Sequence, residues 1–137
     1  MSDAIRWYDA NVQDVSRRYE SLAAETVHGW LVDLLPNAPA VVLDVDAGTG
    51  RDAAWLVSRG LEVVAVEPSG AMRDEAQRLH PSASIRWISD ILPGFDKVFR
   101  LGLSFDLILL SAVWMHVPAA DRARAFRKLV SLLKPGG

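Results

Sequence analysis

Apolar residues between positions 8 and 35 recur at three- and four-residue steps. Val12, Val15, Tyr19 and Leu22 form one stripe, and Val27, Trp30, Leu31 and Leu34 continue a second, which predicts helix over 8–35. "PNAP" at 36–39 breaks that pattern, and the period then changes. The runs "VVLDV", "LEVVAVE", "SIRWIS" and "FDLILLSAV" are short and almost continuously apolar, which predicts strands over 40–46, 61–67, 84–89 and 105–113. Helices are expected between them, the first near 51–59 and ended by Gly60. The second, "GAMRDEAQRL", follows Pro68 with Ser69 as its N-cap. A last helix runs from about Pro118 to Leu133, with Ala123, Phe126, Leu129 and Val130 expected to face inward.

Strands that alternate with helices and are apolar on both faces predict a doubly wound α/β fold around a mainly parallel sheet. The expected organisation is a single domain, with residues 1–38 as an N-terminal helical cap and 39–137 as the α/β core. In such sheets ligands bind beyond the carboxyl ends of the strands. Asp46, Glu67, Asp90 and Ser111 stand at those four ends, so the polar groups converge on one edge.

Composition narrows the partners. The net charge of −2 and the scattered Lys and Arg leave no basic stripe for a nucleic acid. The absence of cysteine excludes disulfides and thiolate metal sites, and no two histidines have metal-ligand spacing, so no metal is expected. The polar N-terminus and the lack of a spanning apolar run predict a cytoplasmic protein with no membrane partner.

The turn after the first strand carries the chemistry. "GTGRDA" fits G-x-G-x-x-A at Gly48, Gly50 and Ala53, and Glu67 ends the next strand about 20 residues on, where a ribose-binding acid is expected. Spacing alone keeps a NAD-type dinucleotide-binding oxidoreductase open. Asp44 and Asp46 argue against a pyrophosphate beside them and for a ligand bearing a cation. S-adenosylmethionine has an ammonium, a sulfonium and an adenosine, and no phosphate. Its ribose diol suits Glu67 and its adenine amino group suits an acceptor such as Asp90.

The stretches "VLDVDAGTGRDAAWL", "VVAVEPSGAMRDEA", "IRWISD" and "FDLILLSAVWMHVP…AFRKLVSLLKPGG" cover residues 41–137. In this order and at these intervals the chain resembles a class I (Rossmann-like) S-adenosylmethionine-dependent methyltransferase of the small-molecule type. The resemblance implies methyl transfer to a small acceptor, with S-adenosylhomocysteine as product. It places Asp44 toward the methionine end and Ala47, Gly48 and Gly50 at the turn approaching the cofactor. It also places Glu67 on the ribose, Pro68 and Met72 beside the adenine, Asp90 and Ile91 at the adenine edge, and Ser111 near the methionine moiety.

Asp46 departs from the pattern, since the family normally has glycine there. An aspartate at that turn either strains the backbone or adds a carboxylate facing the cofactor's ammonium. His116 is a candidate base for the acceptor's proton, and equally a loop histidine hydrogen-bonded to backbone. His28 and His80 read as surface or packing residues, Tyr8 as a candidate lid, and Trp30, Trp55 and Trp87 as core, with Trp114 near the substrate side. Family members continue beyond "LLKPGG" into a fifth strand, so strand four is expected here to present an apolar edge. That edge predicts low stability or pairing with a second copy, and makes activity of this chain alone doubtful. A catalytically inactive binding or interaction module is therefore the other reading of the same features.

Overall fold

The structure is a computed structural model that describes residues 3–20, 28–111 and 116–137. Two short helices, α1 (Asp3–Ala10) and α2 (Val12–Glu20), lead to a 3-10 turn at Gly29–Leu34. The α/β core then alternates β1 (Val41–Val45), α3 (Arg51–Ser58), β2 (Glu62–Val66), α4 (Gly70–Leu79) and β3 (Ile85–Ile88). It ends with α5 (Asp96–Arg100), β4 (Leu107–Leu110) and α6 (Arg122–Leu132). The expected single helix over 8–35 is instead broken at Asn11, whose backbone N–H turns back to the Trp7 and Tyr8 carbonyls and whose side-chain amide also bonds Trp7 O. An asparagine competes for backbone groups in this way, which separates α1 from α2. The short α5 has no counterpart in the sequence reading.

All strand pairs are parallel and the order is β3-β2-β1-β4. The register sets Asp44 opposite Ala65 of β2 and Leu109 of β4, so β1 lies between two apolar neighbours. Alternation along β1 feeds two cores. Leu43 and Val45 join Phe95, Val98, Phe105, Leu129 and Leu132 on one face. Val42 joins Leu31, Trp55, Leu56 and Leu61 on the other. The entry to β1 is clamped by Asp106, whose Oδ2 accepts from Val41 N at 2.9 Å and from Lys134 Nζ at 3.1 Å. These two contacts hold its carboxyl below the usual carboxylate range.

On α6 the inward stripe differs from the expected one. Ala125, Leu129 and Leu132 are buried, whereas Ala123, Phe126 and Val130 face solvent. Leu129 belongs to both stripes, so the helix is rotated about its expected axis and leaves two bulky apolar residues outside. Trp30, expected in the core, is also exposed, while Trp55 is buried and Trp87 half-buried against the core. Among the described residues, β4 has a strand neighbour on one side only and Leu110 is exposed, as the sequence anticipates for that edge. No described helix is long and apolar enough to cross a membrane.

The α6 orientation is tested by paired substitutions followed through urea unfolding. Leu129→Ala is expected to cost about 2–4 kcal/mol by leaving a cavity, and Phe126→Ser less than about 0.5 kcal/mol.

Candidate functional site

β1 ends in a turn that its side chains could not form without two glycines. Asp46, Gly48 and Gly50 all have left-handed backbone, with φ of 61°, 59° and 83°. At Gly50 a Cβ would sit 3.1 Å from the Trp87 ring, so glycine serves both the conformation and the packing of α3 against β3. Ala47 N bonds Val66 O at 2.9 Å, which carries the β1–β2 ladder one step into the turn. Asp46 tolerates left-handed geometry at a cost that most side chains would exceed.

Glu67 ties this turn to the next one. Its Oε1 accepts from Gly48 N at 2.9 Å and its Oε2 from Ser69 N at 2.8 Å. Ser69 is the N-cap of α4, its Oγ accepting from Met72 N at 3.2 Å and donating to Asp9 of α1. Glu67 is buried, and Asp46 at the end of the neighbouring strand lines the same cleft beside it. Burial first, then the Asp46 charge, push its carboxyl up to about 8, against the lowering effect of the two backbone donors. Asp46 is also raised, chiefly by burial, with Glu67 and His116 opposing.

Asp44 lies below the turn at 1% exposure. Alternation places it on the face of Val42, toward α3, where Asp52 and Arg51 add their charges. Burial, then Asp52, Asp46 and Glu67, hold its carboxyl well above the ordinary value, and its Oδ2 has no protein partner. His28 reaches the same region. It is buried, its Nε2 is 3.0 Å from Asp52 Oδ2, and its ring lies 5.9 Å from that of Trp55. His28 is thus a packing residue, as the sequence suggests, though with a carboxylate partner that sequence alone did not reveal. His80 similarly meets Glu20 at 2.7 Å, joining α2 to the end of α4.

A cleft of about 260 Å³ opens above the carboxyl ends of the strands. Val45 and Asp46 form one wall and Val66, Glu67 and Pro68 the next. Asp90 through Pro93, with Phe95, form the third, while His116, Val117, Pro118 and Asp121 lie opposite and Ile5 and Tyr8 of α1 cover the mouth. Of the residues singled out from sequence, Asp46, Glu67, Pro68, Asp90, Ile91 and His116 are brought together here. Asp44, Ala47, Gly48 and Gly50 support the floor without lining it, Met72 is buried under the Ser69 cap, and Ser111 is half-buried at the end of β4 outside the lining. Trp114 lies outside the described residues.

Asp90 is committed to backbone. Its Oδ1 accepts from Ile91 N, and its Oδ2 from Lys97 N and Val98 N at 2.9 and 3.1 Å. It therefore caps α5, which Phe95 at φ 55° cannot do with its own side chain. Leu92, Pro93, Phe95 and Asp121 were not anticipated as site residues. The apolar run "ILPGF" directly after Asp90 is the signal that could have found the first three. Tyr8 and His116 face each other edge-on, with ring centroids 6.4 Å apart at 83°, so α1 does reach across the cleft.

The lining is apolar with four carboxylates and no Lys or Arg among the described residues. This set repels a pyrophosphate and suits a nucleoside that carries positive charge, and the orphaned Asp44 oxygen beneath it fits the same chemistry. The raised acids also cost stability with a definite sign. A carboxyl at about 8 in the folded protein and near 4.5 unfolded keeps the folded state richer in protons across that interval. Stability is then fully present below about 4.5 and is lost as pH rises through 8. Thermal or urea unfolding between pH 6 and 8 is expected to show Glu67 alone removing about 2 kcal/mol, as the difference between wild type and the flatter profile of Glu67→Gln.

Known proteins share this arrangement. The family described as "Methyltransferase domain" matches residues 42–137. An uncharacterized methyltransferase of Mycobacterium tuberculosis is 37% identical over 105 residues, covering 76% of this chain and 40% of that protein. Among solved structures, a TehB-like S-adenosylmethionine-dependent methyltransferase from Corynebacterium glutamicum superposes with a TM-score of 0.71 at 22% identity, over 93% of this chain and 70% of that one. The S-adenosylmethionine-bound amino pentose methyltransferase CalS10 from Micromonospora echinaspora gives 0.70 at 26% identity, over 92% and 53%. The chain spans about two fifths of the length of the mycobacterial relative. With the strand order, the glycine turn and the acid at the end of β2 all in place, the chain belongs to the methyltransferase domain family.

Proposed function

We propose that this chain binds S-adenosylmethionine in the cleft above β1 and β2, and that the protein transfers its methyl group to a small acceptor. The observation that carries this reading is Glu67, a buried acid held at the cleft floor by the glycine turn itself. Bound there, the cofactor supplies a sulfonium methyl for in-line displacement, and S-adenosylhomocysteine is left. Glu67 offers the remaining lone pairs of its carboxylate to the ribose hydroxyls. Pro68 and Ile91 flank the adenine, with Met72 supporting Pro68's segment from below. Asp90 positions Ile91 and its loop through three backbone bonds. Ala47, Gly48 and Gly50 bring backbone close to the cofactor, and Asp44 and Asp46 set negative charge toward its ammonium. Ser111 stands at the methionine side, where the end of β4 approaches. His116 takes a proton from an acceptor that needs deprotonation, with Tyr8 closing over it. The protein's larger contribution is alignment and exclusion of water.

In this reading residues 1–38 form the helical cap of a single domain and 39–137 its cofactor-binding core. The protein works in the cytoplasm on a small-molecule acceptor, with neither nucleic acid nor membrane as partner. A second copy pairs along the open edge of β4, where Leu110 is exposed. Light scattering on this chain is expected to give twice its mass of 15.0 kDa; a monomer at micromolar concentration excludes the pairing.

Calorimetric titration tests the cofactor. S-adenosylhomocysteine is expected to bind in the micromolar range, NADH not at all, and Glu67→Ala to weaken binding at least about 30-fold through lost charge-assisted bonds. Binding of NADH, or S-adenosylhomocysteine affinity indifferent to Glu67, overturns the assignment.

A further inference from the structure

The resemblance calls for glycine where this chain has Asp46, and the structure shows what the aspartate does. Its φ is 61°, and the register that sets Val45 beside Val66, carried on by Ala47 N to Val66 O and Gly48 N to Glu67 Oε1, places Asp46 and Glu67 next to each other on the cleft wall. Two carboxyl groups side by side on one cleft wall repel each other when both are ionised, and the pair is neutralised most simply when one of them keeps its proton. Glu67 is the buried member of this pair, at 3% exposure. Each of its oxygens already accepts one backbone N–H, so a proton on this carboxyl takes up acceptor capacity that the ionised form would have left. A ribose diol needs that capacity as acceptor.

We infer that Asp46 and Glu67 share one proton at the cleft floor, and that binding of the adenosyl cofactor expels it to solvent. Asp46 is on this account a positioning residue that holds the ribose-binding acid in its neutral, pre-bound form. The inference rests on the cofactor reading above.

The surroundings set the direction of the coupling. Asp44 of β1 lies beneath, its own carboxyl raised by burial and by Asp52, Asp46 and Glu67 and lowered by Arg51, while the charge that acts on Glu67 is that of Asp46. From α4 Arg73 approaches, but its Nη1 donates to the Glu67 carbonyl at 2.6 Å and not to the carboxyl. Across the cleft stand Tyr8 of α1, Asp90 after β3, and His116 and Asp121 beyond β4. Of these, His116 favours ionised Asp46. No cation reaches the Glu67 carboxyl among the described residues named here, so proton retention is the cheapest way to neutralise it. Burial and the Asp46 charge push the Glu67 carboxyl up in the same direction, to about 8. When the diol donates to Glu67, the ionised form of that carboxyl is favoured and the proton leaves. The ligand's carboxylate and adenine do not titrate between pH 6 and 8, and its ammonium is titrated separately and subtracted, so the remaining proton release comes from the protein.

S-adenosylhomocysteine is titrated into this chain between pH 6 and 9, at each pH in phosphate and in Tris, whose ionisation enthalpies differ. The expected result at pH 7 is release of about 0.9 proton per ligand, with Kd rising about tenfold for each pH unit below 8. In Asp46→Asn the amide donates to Glu67 without a carboxyl proton. Binding at pH 7 then tightens by up to about tenfold and proton release falls below half. Buffer-independent heats with constant Kd over pH 6–8 overturn the inference and leave the cofactor reading standing. Absence of binding at every pH, in wild type and Asp46→Asn, overturns the cofactor reading and the coupling together. Carboxyl ¹³C spectra of the ligand-free protein provide a readout independent of any ligand. They are expected to show one carboxyl titrating near 8, absent in Glu67→Gln and shifted down in Asp46→Asn. An ordinary carboxylate titration for Glu67 overturns the shared proton whatever the ligand does.

Discussion

The molecule depends on one side chain that serves as a backbone partner. Glu67 accepts from Gly48 N in the turn after β1 and from Ser69 N in the turn after β2. Adjacent parallel strands of a doubly wound sheet fix their turns only loosely, because each turn leaves the sheet toward its own helix. A buried carboxylate with one oxygen on each turn removes that freedom. The geometry also explains why the residue is an acid at all, since two backbone N–H donors would otherwise be orphaned at the floor of a cleft. Glutamine would supply only one acceptor oxygen for the two donors.

The cost of this arrangement is concentrated charge. Asp44, Asp46, Glu67 and Asp52 lie near one another beneath or beside the turn, and Arg51 offsets them only in part. Burial dominates each of the three raised acids, and their mutual repulsion adds to it in Asp44 and Glu67. Such a cluster reduces folding stability and persists only where function or the surrounding structure compensates for it. Here the compensation is available from a ligand with positive charge and hydroxyl donors.

Much of this was legible in the sequence. The four apolar runs gave the strands because a parallel sheet buries both faces and needs no alternation. Gly48, Gly50 and Glu67 stood out because the turn requires positive φ and the acid follows at a fixed interval. Other features depend on tertiary contacts that periodicity cannot carry. The rotation of α6, which exposes Phe126 and Val130, is set by how Leu129 and Leu132 meet Phe105 and Val98. Asp90 reads as an adenine acceptor from its position, yet its oxygens are taken by amides up to eight residues away. The pairing of Asp46 with Glu67 joins two turns distant in sequence. The departure from glycine marked the position, but its partner is visible only in three dimensions.

Ser69 extends the influence of Glu67 to the cap. Its N–H holds Glu67, its hydroxyl oxygen accepts from Met72 N to start α4, and its hydroxyl proton goes to Asp9 of α1. Asp9 in turn accepts from Ala71 N, adding a carboxylate at the α4 N-terminus where the helix dipole favours it. The helix that carries Tyr8 to the cleft is therefore fastened to the same few atoms that hold Glu67. A shift in Glu67 large enough to release Ser69 N would loosen the cap of α4, and with it the seat of α1. Conversely, α1 can keep its place only while the end of β2 keeps its geometry. Floor and cover of the site form one hydrogen-bonded chain, which is why a small helix with few buried residues can still lie in register across the cleft.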